Sequence, residues 1–106
     1  MNYHQIFLNA IQDKIIVKVR FNSQEKGIIE RLCIPFDFGP SRRQNLVENP
    51  DRYHFYDLDS PERQHTLSIL PNQIISIEAT AKSFDPAQYI TWTPKWFIKR
   101  DWGIYS

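Results

Sequence analysis

Residues 14–21 read Lys-Ile-Ile-Val-Lys-Val-Arg-Phe, which places Ile15, Val17, Val19 and Phe21 at every second position with Lys14, Ile16, Lys18 and Arg20 between them. A period of two sends successive side chains to opposite faces, so the segment is a half-buried strand. Comparable runs recur at residues 28–34, 52–58, 65–70 and 74–79, separated by turn-forming residues. The polar connector 22–27 ends in Gly27, which makes the first two strands a hairpin. Pro35 has no amide to give to a ladder and is expected to end the second strand, opening a loop from residue 36 to about 51. Asp59-Ser60-Pro61-Glu62 and Leu70-Pro71-Asn72-Gln73 punctuate the remainder. The helical exception is residues 3–12, where Tyr3, Ile6, Phe7, Ala10 and Ile11 recur at spacings of three and four.

Five short strands after one short N-terminal helix specify a mainly β fold, a strongly bent antiparallel sheet or a small barrel. Closure into a barrel is expected, because it removes the exposed edges that invite pairing with other chains. Alternation assigns Val17, Val19, Leu32, Ile34, Phe55, Leu67, Ile69, Ile75 and Ile77 to one core. A chain of 106 residues supports one such core, so residues 1–106 read as a single domain with an extension from about residue 84.

Several functions are disfavoured by what the chain contains. No apolar stretch approaches the ~20 residues of a membrane-spanning helix, and no basic start followed by a long apolar run marks a secretory signal, so a cytoplasmic address is expected. Cys33, the one cysteine, sits between Leu32 and Ile34 and reads as a buried, inert thiol. His4, His54 and His65 match no zinc spacing, and no cofactor motif or nucleophile elbow is present, so neither a metal, a cofactor nor a catalytic site is expected. Asp57, Asp59 and Glu62 lack the glycine and ligand spacing of a calcium loop and read as a solvated turn. Asp85 before Pro86 reads as a cap or turn.

Two regions carry binding potential. Arg42-Arg43 in the long loop, with Arg31 in the strand before it, suits a phosphate or carboxylate, because the guanidinium fork is planar and bidentate. The C-terminal residues 84–106 hold all three tryptophans. Trp92, Trp96, Phe97 and Trp102 form either a surface packed on the domain itself or a partner interface, a homodimer included. Pro94 disfavours a helix through them, so an extended or turn-rich strap is expected. Interleaved with Lys95, Lys99 and Arg100, and together with Arg42 and Arg43, the same rings could stack on the bases of a nucleic-acid strand while the cations meet its phosphates. A formal net charge of +1 gives no bulk attraction for nucleic acid, so that is the alternative to a ligand or protein partner.

The order of these signals resembles the WYL domain, a small Sm-like barrel of bacterial transcription, phage-defence and CRISPR-associated regulators. Residues 10–17, Ala-Ile-Gln-Asp-Lys-Ile-Ile-Val, followed by Phe21, match its helical lead into a basic-apolar strand. Glu30-Arg31-Leu32-Cys33-Ile34-Pro35 matches its acidic-Arg-apolar-x-apolar-Pro strand. The naming triplet falls on Tyr53-His54-Phe55, Asp59 stands at the acidic position of the following turn, and Phe84-Asp85-Pro86 resembles the closing end. Residues 66–73 stand where the family has an arginine-rich strand, and the Trp-rich tail lies outside the match. The resemblance implies a non-enzymatic module that senses a ligand or joins a regulatory or defence assembly. Arg31 and Tyr53 occupy its pattern; with Arg42, Arg43 and Tyr56 they are the candidate ligand-binding residues.

Overall fold

The computed structural model describes residues 2–41, 48–61 and 63–106. Helix α1, Tyr3–Asp13, is capped by Asn2, whose side chain accepts from the Gln5 amide at 2.9 Å. It ends at Lys14, which takes left-handed φ 56 and returns its amide to the Ala10 carbonyl. This abrupt stop turns the chain straight into β1, Ile15–Ser23. The strands β2, Gly27–Gly39, β3, Arg52–Asp57, β4, His65–Ile69, and β5, Ile74–Ser83, follow. Short 3₁₀ turns at Pro71–Gln73, Pro86–Gln88 and Gly103–Tyr105 complete the chain.

All strand pairings are antiparallel and the order across the sheet is β4-β3-β2-β1-β5. The β1–β2 hairpin turns on Gly27 at φ 75, a conformation that glycine adopts without cost. The barrel expected from the strand count is not closed: β4 and β5 stand at opposite edges of the sheet and do not pair. The two edges are managed differently. β5 carries α1 against it, is interrupted by irregularities opposite β1, and bears Glu78 and Lys82. β4 pairs with β3 in unbroken register and carries neither proline nor an Asp, Glu, Lys or Arg side chain.

Three strand-level expectations need correction. Pro35 does not end β2, which continues to Gly39. By Pro35 the strand has outrun its pairing with β1, whose last partner is Cys33, and a register shift between Pro35 and Asp37 opens the ladder to β3. A missing amide is therefore tolerated there, and the long loop starts later. Ile75 is 46% exposed, and Ile74 is buried in its place. Arg20 pairs with Ser76 but Phe21 with Ile74, so Ile75 is the extra residue of a bulge and loses its inward parity. Ile34 is fully buried, but its alternation from Cys33 places it on the face opposite Val17. Leu32 and Leu67 are half-buried.

One face of the sheet meets α1. Phe7 lies edge-on to Tyr53 and Phe55 at 5.0 and 5.3 Å, and Val17, Val19, Ile69 and Ile77 are buried with them. Cys33 belongs to this core; burial pushes its thiol well above the ordinary cysteine range, as expected of an unreactive sulfur. Asp57, expected in a solvated turn, is buried and paired with Arg31 at 3.3 Å. Its other function is to cap the turn, accepting from the Asp59 amide at 2.9 Å. Glu62, Arg42 and Arg43 lie outside the described residues.

Candidate functional site

The second face of the sheet is covered by the C-terminal segment, and one charged pair anchors it. Phe36-Asp37-Phe38 places an acid in the middle of an apolar strand, and Asp37 is only 6% exposed. Its Oδ2 accepts from the Phe97 amide at 2.9 Å and its Oδ1 from the Ile98 amide at 3.0 Å. Arg100 Nη2 reaches the same Oδ1 at 3.4 Å, while Nε and Nη2 donate to the Ile98 carbonyl and Nη1 to the Phe36 carbonyl. The guanidinium carbon lies 4.0 Å from the centre of the Trp96 ring and 4.5 Å from that of Trp102. Burial lowers the Arg100 pKa to about 10, with the Asp37 charge opposing the drop. It remains a cation at neutral pH.

Tryptophan hydrogen bonds fix the rest of the strap. Trp102, 3% exposed, donates from Nε1 to the Ile11 carbonyl at the end of α1 and stacks edge-on against Phe84. Trp96 donates from Nε1 to the Tyr105 carbonyl. Asp85 caps the turn before the strap by accepting from the Ala87 amide. Phe97 lies so close to Gly39 that a Cβ at that position would overlap its ring, which is why the end of β2 needs glycine there. The expectation of an ordered strap is met.

Between the strap and β4 lies a cleft of about 240 Å³. Phe36, Trp92, Trp96 and Phe97 supply its aromatic wall, and His54, Thr66 and Ser68 its polar side. Trp92 is 46% and Phe97 45% exposed, so both present ring surface to solvent. His54 joins the strands behind the cleft: its Nε2 donates to the Gly39 carbonyl and its Nδ1 accepts from the Ser68 hydroxyl, both at 2.8 Å. Asp37, paired with Arg100, and Lys95 are the acid and the ammonium on the lining.

The sequence candidates fall in different places. Arg31 is held by Asp57 on the sheet. Tyr53 is buried, its hydroxyl 2.6 Å from His4 Nδ1, and burial raises its pKa to about 12. Tyr56 is half-buried between Phe36 and Tyr89. Trp102 is structural, whereas Trp92, Trp96 and Phe97 line the cleft. Arg100, grouped with the tail's cations, is instead buried beneath its tryptophans. The residues missed by reading the sequence are Phe36, Asp37, His54, Thr66 and Ser68. The acid inside Phe-Asp-Phe was the available signal, since an apolar strand rarely carries a carboxylate without a distant partner.

Among the described residues no group of three or more His, Cys, Asp or Glu side chains is placed to hold a metal ion, and no helix is long and apolar enough to cross a membrane. No family model matches this chain, and neither a curated protein nor a solved structure does.

Proposed function

We propose that the chain is a non-enzymatic binding module whose cleft receives an aromatic or large aliphatic side chain of a partner protein. The carrying observation is the pair of half-exposed rings, Trp92 and Phe97, held at the mouth of a mainly apolar cleft by a strap that is itself pinned to a buried carboxylate. Rings fixed in this way lose little conformational freedom on binding, which is how rigid aromatic residues contribute to affinity. The resemblance to WYL domains sets such a module in a cytoplasmic, bacterial regulatory or defence assembly. Arg31 and Tyr53, the residues that fit that family's pattern, support the sheet behind the cleft in this reading.

Nucleic-acid binding is the weaker reading. It relies on Arg42, Arg43 and the Trp-rich basic tail, and within that tail Trp102 and Arg100 are committed to the fold. A titration with N-acetyl-tryptophanamide, followed by two-dimensional NMR, tests the cleft. The indole N–H signals of Trp92 and Trp96 should shift together with the Ser68 amide, and Trp92→Ala should abolish the effect without unfolding the chain. Shifts confined to other parts of the surface would refute the reading.

A further inference from the structure

β4 is an edge strand that among the described residues pairs with β3 alone, and a second cleft of about 250 Å³ lies beside it, lined by Phe21, Ser23, Gln24, Glu25, Ile69 and Gln73. The two clefts share Leu67 and Ser68. Phe21 and Ile69 belong to the α1-facing side of the sheet, whereas Phe36, His54 and the strap lie on the other, so β4 has a cleft on each face. A strand added to a sheet edge sends its side chains alternately to the two faces, so a cleft on each face gives both sets of side chains a place. The clefts also differ in character. The strap-side cleft is aromatic and carries the Lys95 ammonium, and the α1-side cleft is more polar and carries the Glu25 carboxylate.

From this we infer that β4 accepts an extended segment of a partner protein as a sixth strand, with aromatic or large aliphatic side chains entering the strap-side cleft and a basic side chain between them facing Glu25. The inference rests on the cleft reading above and adds the backbone mode of recognition and the alternating pattern of the partner. Main-chain hydrogen bonds to the edge of β4 give affinity, and the two clefts give register, because a one-residue slip would put the basic side chain against the tryptophans. A second copy of this chain is disfavoured as the occupant, since β4 itself offers Thr66 and Ser68, not aromatic side chains, to the strap-side face.

The probe is the peptide acetyl-Thr-Trp-Lys-Leu-Thr-amide, tested beside one variant N-methylated at Lys and another N-methylated at Trp and Leu. In an extended strand alternate amides point to the same edge, so one methylation pattern should weaken binding at least tenfold and the other should change it less than threefold. Glu25→Lys should weaken the parent peptide about tenfold and favour the version with Glu in place of Lys. Equal affinity for both N-methylated forms and the parent, or binding of N-acetyl-tryptophanamide without any gain from the peptide, would overturn strand addition while leaving the cleft reading intact. No response to either probe would overturn the cleft reading itself. A dimer joined through β4 in the absence of peptide would make a second copy the occupant and overturn the partner assignment.

Discussion

Asp37 and Arg100 stand 63 residues apart in sequence yet share a buried contact of 3.4 Å, with side chains 8% and 0% exposed. This pair joins the end of β2 to the C-terminal strap, and the cleft exists because the two are joined. The net worth of a buried ion pair is small, but breaking one strands a charge in a poorly hydrated place. Asp37→Asn should therefore cost about 3–5 kcal/mol in urea unfolding. Asp37→Asn combined with Arg100→Met should cost less than the sum of the two single changes. A single substitution within about 1 kcal/mol of the parent would remove the pair from its anchoring role.

The bulge in β5 makes a local prediction. Ile77 is buried opposite Val19, whereas Ile75 occupies the extra position and is exposed. Ile77→Ala should cost about 2–5 kcal/mol and Ile75→Ala should fall within about 0.5 kcal/mol of the parent. Similar losses from both in thermal or urea unfolding would place Ile75 in the core and remove the bulge.

Trp102 ties the strap to the helix as well as to the sheet. Trp102→Ala removes a large buried ring and should cost about 3–5 kcal/mol. Trp102→Phe keeps most of the apolar volume but leaves the Ile11 carbonyl without its 2.8 Å donor, for a smaller loss of about 1–3 kcal/mol. If alanine and phenylalanine were equally mild, the strap would contribute nothing to the stability of α1.

Alkaline pH provides an independent check on the core. The Tyr53 pKa is raised by burial from 10.0 to about 12, so the folded state holds this proton more tightly than the unfolded chain. The associated stability is complete below pH 10 and is lost as pH rises toward 12. Tyr53→Phe removes that contribution, so its stability should decline less steeply than that of the parent between pH 10 and 11.5. Arg100 and Cys33 titrate in both proteins and cancel in the comparison. Parallel curves in denaturant unfolding would show that Tyr53 is solvated.

Much of the sheet was legible because alternation is a local property: Val17, Val19, Phe55 and Ile77 each point inward as their neighbours imply. Ile75 was misread since a bulge inverts parity without any mark in the residues before it. Pro35 was misread because its tolerance depends on where β1 stops, which is set by pairing and not by composition. The strap's aromatic content announced that it would pack, but its anchor did not, because Asp37 and Arg100 have no shared pattern in sequence. The cleft was least legible of all. It is assembled from β2, β3, β4 and the strap, which strand pairing and the Asp37 and tryptophan contacts of the strap bring to one place from distant parts of the chain.

The central claim is that the strap is part of the folded sheet and builds one wall of the cleft. Amide hydrogen exchange at Phe97 and Ile98 reads this directly, because both amides donate to the buried Asp37 carboxylate. Their protection should approach that of Val19, buried on β1 between β2 and β5, and should collapse in Asp37→Asn. Exchange of both amides at the rate of an unstructured peptide in the parent protein, with Val19 still protected, would show a strap that comes and goes, and a cleft without a fixed wall.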